Sequence, residues 1–183
     1  MQFDNVDYSN QELYNREFEN CTFINCNFSN SKIVSNNLID CTFENCNFSL
    51  CQLTDTGLKG VIFKACKLTG IDFSKCNPFS FSVEFENCIL DYSIFYKQKL
   101  KKTHFLDCTI KQADFGECDL SEALFSNCEL VGTNFERNNL NKADFRSARN
   151  YSINPATNKL KKAKFSLNGL PGLLGAYDLV IEG

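Results

Sequence analysis

Tryptophan is absent from this chain, methionine and histidine occur once each, and proline occurs three times. A lone histidine, His104, argues against the common histidine-based triads and multi-histidine metal sites. No apolar run approaches the ~18–20 residues needed to span a bilayer, and the opening MQFDNVDYSN lacks the basic and apolar blocks of a signal peptide. The expected location is therefore the cytoplasm, where thiols stay reduced. A cysteine count of 11 is odd, which fits a disulfide framework poorly. The net charge of -3 is too mild to announce a partner and is not the basic balance of a nucleic-acid binder. Neither direct nucleic-acid binding nor membrane contact is expected. There is no P-loop, GxSxG or HExxH motif, so neither catalysis nor a cofactor is expected.

What the chain has in excess is phenylalanine, 18 of 183 residues, and internal repetition. Residues 20–29 read NCTFINCNFS and residues 40–49 read DCTFENCNFS. Every fifth residue from Phe3 to Phe73 is large and apolar, and after a slip of two the series resumes at Phe85 and runs to Phe145. A period of five matches neither the strand period of 2 nor the helix period of 3.6. If each fifth side chain points inward, the backbone turns a corner between successive ones. The twenty-residue echo means that four corners close one coil. From Phe85 onward phenylalanine alternates with Leu or Ile, which puts phenylalanines on two opposite walls. Stacked at ~4.8 Å, roughly seven coils make a rod a little over 30 Å long. The fold class is all-β, a solenoid.

Ten of the cysteines stand two residues before an apolar centre, and Cys76 holds the same phase before Pro78. The same slot elsewhere holds Ala113, Ser93, Thr103 or Val61, so it demands a small, inward-facing residue, and Cys serves as a small buried hydrophobe. A metal or redox site would need ligands converging on one point, whereas these cysteines follow the repeat.

Segments such as ADFGE, ALFSN, TNFER and ADFRS (113–117, 123–127, 133–137, 143–147) resemble the pentapeptide-repeat family over about residues 3–148. The resemblance implies a right-handed quadrilateral β-helix. Glycine is scarce at the fifth position, where Asn20, Asn25, Asn30 and Asn45 stand instead, and Asn tolerates unusual backbone angles. The Qnr/MfpA-type members of that family bind DNA gyrase or topoisomerase IV as DNA mimics and confer quinolone resistance. The resemblance thus implies a non-enzymatic rod that blunts quinolone or toxin poisoning. A generic protein-binding or structural solenoid without topoisomerase contact is the alternative, and a thiol-based metal or redox protein a third.

Three segments are expected: a β-helix over 1–148 with a register slip at 74–84, a final irregular coil over 149–166, and a C-terminal module over 167–183. In the slip, the two residues inserted around Pro78 make a bulge that leaves Phe79 and Phe81 partly exposed, either as a partner contact or as a tolerated insertion. In the C-terminal module Leu167, Leu170, Leu173 and Leu174 have helical spacing, Pro171 suits a first turn and Gly175 a stop. Leu179 and Ile181 alternate like a short strand. This helix–strand cap covers the open end, and the resemblance implies a homodimer through it. For a topoisomerase partner the candidate contacts are Asp107, Asp114, Asp119, Glu129 and Glu136, with Phe79 and Phe81. The twenty-residue register places Glu117 between Lys97 and Arg137, and Glu122 between Lys102 and Lys142, pairs that dilute a DNA-like field. It also leaves Asp114 and Asp119 in outward slots where charge reversal spares the fold. Lysines of NKLKKAKF (158–165) add positive charge near the dimer end.

Overall fold

Every fifth residue along most of the chain adopts a left-handed backbone conformation, and these residues are the corners of a four-sided parallel solenoid. The computed structural model describes residues 1–177 and 179–180. In it φ is positive at Asn5, Asn10, Asn15 and Asn20, at each fifth position on to Gly70, and again from Asn87 to Lys142. This region costs most L-residues about 1–2 kcal/mol each, and Asn least among those with a side chain. Asparagine accordingly fills most of the corners from Asn5 to Asn45, whereas Tyr92, Lys97, Lys102, Glu117 and other side chains bear that cost at later ones. Each corner is held to the next coil, as in the Asn25 N–H to Glu44 carbonyl bond of 2.9 Å and the Asn45 N–H to Lys64 carbonyl bond of 3.0 Å.

Between corners run short strands that pair in parallel with the coil beyond. Phe3 lies against Phe23, Phe23 against Phe43 and Phe43 against Phe63. After the slip Phe85 lies against Phe105 and Phe105 against Phe125. The step is twenty residues on both sides of the slip, across which Phe63–Phe85, Lys67–Ile89 and Asp72–Ile94 each span twenty-two. Four walls result, each with one column of inward side chains. The first is the phenylalanine column from Phe3 to Phe165, with consecutive rings stacked at 4.7–5.5 Å. The second runs from Tyr8 through Phe28, Phe48 and Leu68 to Leu130, the third from Leu13 through Ile33, Leu53 and Phe73 to Phe135, and the fourth from Phe18 to Leu160.

The second and third walls exchange character in one coil. Phe48 is followed by Leu68, whereas Leu53 is followed by Phe73. Before the exchange the aromatic columns are on adjacent walls, as in the Phe23–Phe28 edge contact of 5.8 Å. After it they face each other across the bore, as in the Phe105–Phe115 contact of 5.7 Å at 88°. One Phe and one Leu simply trade walls, the kind of volume-conserving swap that close packing tolerates best.

The slip at 74–84 has a backbone cause. No residue between Gly70 and Asn87 is left-handed. A 3-10 turn at Phe73–Lys75, capped by the Asp72 carboxylate, replaces one corner. The strand Phe81–Glu86 passes straight through the position of another. Pro78 fixes its own φ and pushes Asn77 away from the helical region. The excess chain leaves as the loop Asn77–Ser80.

At the other end, a 3-10 turn at Leu167–Gly169 leads into the four-residue helix Pro171–Leu174 and a last 3-10 turn to Tyr177. Leu173 packs on the core, and the Gly172 carbonyl accepts the Ile153 N–H at 2.8 Å. A side chain at Gly172 would collide with Tyr151, whose ring closes the bore against Phe145 and Phe165. The α-helix stops at Leu174 with Gly175 as its C-cap, as the glycine suggested, though without a left-handed turn. The φ of Gly175 is -58°, and the chain winds on. Leu179 and Val180 are in no strand, and Ile181 lies outside the described residues. No helix among the described residues is long and apolar enough to cross a membrane.

Candidate interaction surfaces

The small inward slot does more than save space. Its polar tip donates to the carbonyl of an apolar centre on the previous coil: Cys66 Sγ to Phe43 at 3.4 Å, Cys118 Sγ to Phe95 at 3.0 Å, Thr56 Oγ1 to Ile33 at 2.7 Å and Ser93 Oγ to Leu68 at 3.0 Å. Asn36 and Gln98 fill the same slot and donate likewise to Leu13 and Phe73. The frequency of Cys, Ser and Thr there carried that signal, since each is small and has a donor, although Val61, Ala113, Ala123 and Ala143 fill the slot without one. All eleven cysteines are buried. Burial lifts the Cys51 and Cys118 thiols to about 12, so little thiolate forms at neutral pH.

The acidic positions of residues 107–136 do not gather on one face. Asp107 is a corner between the first and second walls, Glu129 stands on the second, Asp114 and Glu136 on the third, and Asp119 on the fourth. Several carry structural work. Asp114 Oδ1 accepts the Gly116 N–H at 2.8 Å and Asn134 Nδ2 at 2.7 Å. Asp119 Oδ1 accepts the Ser121 N–H at 3.1 Å and Asn139 Nδ2 at 2.9 Å. Both are half-buried, so the expectation that reversing them to Lys spares the fold is corrected: a lysine cannot accept these bonds. Asp107 accepts from Asn127 and Glu129 from Asn150, whereas Glu136 is exposed.

The ladder expected at Glu117 is present, with Lys97 at 3.5 Å and Arg137 at 4.0 Å. The Tyr96 hydroxyl, donating at 2.9 Å, is the main reason its carboxyl is held below the usual range, with Lys97 and Arg137 adding to it. Glu122 departs from expectation. Its ion pair is with Lys101 at 3.8 Å, not with Lys102 or Lys142. Lys102 and Lys142 are left-handed corner residues, like Glu122 itself, whereas Lys101 is the last outward residue before the corner. His104 is outward beside Glu84, at 3.7 Å.

Two of the apolar features that face solvent fall at expected contact residues. Phe79 is 94 % exposed at the tip of the Asn77–Ser80 loop, where the Asn77 Oδ1 accepts its N–H at 3.0 Å. Phe81, by contrast, is half-buried with its ring edge-on to Phe73 at 6.2 Å. In the C-terminal module Leu167, Leu170 and Leu179 are exposed, while Leu173 and Leu174 are half-buried. Tyr177 and Val180, which the leucine spacing passed over, are exposed too.

The family model for the pentapeptide repeat region matches residues 16–80 and 79–173. Two trypsin-treated forms of QnrB1, a plasmid-mediated fluoroquinolone resistance protein, are similar in structure. Their TM-scores are 0.59 and 0.58 at 19% and 17% identity, covering 98% and 100% of this chain and 99% and 100% of theirs. HetL, a pentapeptide repeat protein involved in heterocyst differentiation regulation from the cyanobacterium Nostoc sp. strain PCC 7120, aligns with a TM-score of 0.51 at 12% identity, over 92% of this chain and 88% of its own. No curated protein sequence matches the chain. At these identities the likenesses bear on the fold.

Proposed function

The chain belongs to the pentapeptide-repeat family, and on that premise we propose that it is a non-enzymatic cytoplasmic rod that binds a type II topoisomerase, DNA gyrase or topoisomerase IV, as a DNA mimic. Bound there, it reduces poisoning by quinolones or toxins. The observation that carries this reading is the third wall. Asp72, Ile94, Asp114 and Asn134 stack in one column, with Glu136 outward beside them, on a rigid scaffold whose fold is shared with the fluoroquinolone resistance protein QnrB1. Carboxylates fixed along a rod suit a groove built for phosphates, and such contacts steer association in a salt-dependent way. The exposed Phe79 adds an apolar anchor, and exposed Leu167, Leu170, Tyr177 and Val180 support a homodimer through the C-terminal module.

The scatter of Asp107, Asp119 and Glu129 over other walls favours a second reading, a protein-binding solenoid with no topoisomerase contact. Surface-immobilised gyrase and topoisomerase IV separate the two. Micromolar or tighter binding that weakens with salt is the expected result. The double substitution Asp114→Asn, Glu136→Gln should reduce affinity about tenfold, because Asn keeps the acceptor that Gly116 and Asn134 use and removes only charge. Salt-insensitive binding, or none, would leave the second reading.

A further inference from the structure

The net charge of -3 conceals bands of opposite sign along the rod. Residues 1–58 carry eight Asp or Glu against Arg16 and Lys32, whereas residues 137–166 carry eight Lys or Arg against Asp144 alone. Residues 59–106 are basic too, with eight lysines against four acids. The twenty-residue register concentrates the lysines of the two basic bands on the fourth wall and the corner that follows it. Lys99, Asp119, Asn139 and Lys159 stack in one column. Lys102, Glu122, Lys142 and Lys162 are consecutive corners of the next edge, and Lys101 and Lys161 lie between the column and that edge. All of these lysines are exposed. Lys101 alone among them makes an ion pair within the described residues, with Glu122. The loop bearing Phe79 rises from the same wall, since the Ser80 carbonyl accepts the Leu58 N–H at 2.6 Å and Ser80 lies over Gly57.

We propose that this fourth wall binds the phosphate backbone of nucleic acid, independently of sequence. Three coils separate Lys99 from Lys159, about 14 Å at the strand-pairing spacing, a length over which a duplex presents about eight phosphate charges. The cations are all lysine, flexible point charges suited to phosphate rather than to planar, paired recognition. Among the described residues Phe79 is the one large apolar side chain that stands out on this wall, too little for insertion into a lipid surface and well placed to stack on an unpaired base. The wall is opposite in sign to Asp72, Asp114 and Glu136 on the third wall, the carboxylates proposed for the topoisomerase. The inference goes beyond that proposal and stands apart from it.

The test uses the full chain with fluorescein-labelled 20-nucleotide DNA, single-stranded and duplex, by anisotropy, with no topoisomerase present, so that its outcome is separate from that of gyrase binding. Saturable micromolar binding is expected at 50 mM NaCl, falling by about 100-fold or more at 200 mM as counterions are no longer released to advantage. The quadruple substitution Lys99→Glu, Lys101→Glu, Lys159→Glu, Lys161→Glu should abolish it. A matched quadruple on other walls, Lys32→Glu, Lys67→Glu, Lys111→Glu, Arg149→Glu, changes net charge equally and should retain most of it. Phe79→Ala should weaken single-strand binding about tenfold and leave the duplex unaffected. If either glutamate set melts early, the corresponding glutamine sets carry the same comparison. The proposal is overturned by absence of binding at 50 mM NaCl, by equal loss in both quadruple sets, or by equal affinity for phosphatidylserine vesicles or polyglutamate.

Discussion

Replacing Phe105 by Ala removes one ring from the centre of the first wall, and the structure sets how much that costs. Phe105 is fully buried. Its ring stacks on Phe85 at 5.3 Å and on Phe125 at 4.7 Å, and meets Phe95 and Phe115 edge-on at 6.1 and 5.7 Å. Truncating a buried Phe costs about 3–5 kcal/mol, and each aromatic pair adds about 0.5–1.5 kcal/mol beyond burial. Coils above and below are pinned by ladder bonds and cannot collapse into the space, so a value near the upper end, about 5 kcal/mol, is expected. Two controls isolate the packing effect. Phe3→Ala, at a half-buried ring whose aromatic neighbours among the described residues are Phe18 and Phe23, should cost about half as much or less. Cys108→Ala should cost about 1 kcal/mol or less, because Ala113, Ala123 and Ala143 fill the same slot and only a weak thiol donor is lost. Urea unfolding followed by far-ultraviolet circular dichroism gives all three values. A Phe105→Ala cost within 1 kcal/mol of the wild type, or a Phe3→Ala cost equal to it, would refute the stacked-column account.

Asp144 is held below its ordinary value of 3.8 chiefly by Arg146, at 2.7 Å, with Lys164 contributing. A depressed carboxyl stabilises the fold above the unfolded value and loses that contribution as pH falls through the folded one. Between pH 5 and pH 2 the wild type should therefore lose about 0.5–1 kcal/mol more than Asp144→Asn, a modest figure because Arg146 and Lys164 are solvated; equal losses in parallel urea titrations would remove the pair from the account. Removing residues 167–183 should uncover Tyr151 and Phe165 and turn a micromolar dimer into monomer or aggregate by sedimentation. A full-length chain that sediments as monomer would discard the dimer. Thiol titration of the native protein should be slow at all eleven cysteines and become complete on denaturation; fast reaction of several thiols in native buffer would mean that the slot is open.

The five-residue period revealed the solenoid because a corner at every fifth residue leaves no choice of which side chain faces in. Asparagine at the fifth position was equally legible, since few side chains tolerate φ near +50°. Side-chain partners were not. Register told which residues were neighbours, but Glu122 chose Lys101 over Lys102 and Lys142, a matter of which lysine the corner geometry lets reach. Asp114 and Asp119 counted as outward charges, yet each carboxylate also accepts a backbone N–H two residues on, a local turn bond that a charge count does not register. The fourth wall was missed because net charge averages over bands that only windows along the chain, folded at twenty residues, resolve. At 74–84 the sequence marked the bulge through Pro78, but the loss of two left-handed corners that causes it is a backbone property.

The central claim is that this rod protects a topoisomerase, and DNA gyrase poisoned by a quinolone tests it most directly. Cleaved plasmid trapped by the drug is measured with and without the purified rod at micromolar concentration. The account predicts that cleaved DNA falls as the rod is added, with protection reduced in the Asp114→Asn, Glu136→Gln protein and at raised salt. Undiminished cleavage at every rod concentration, with supercoiling unaffected, would contradict it.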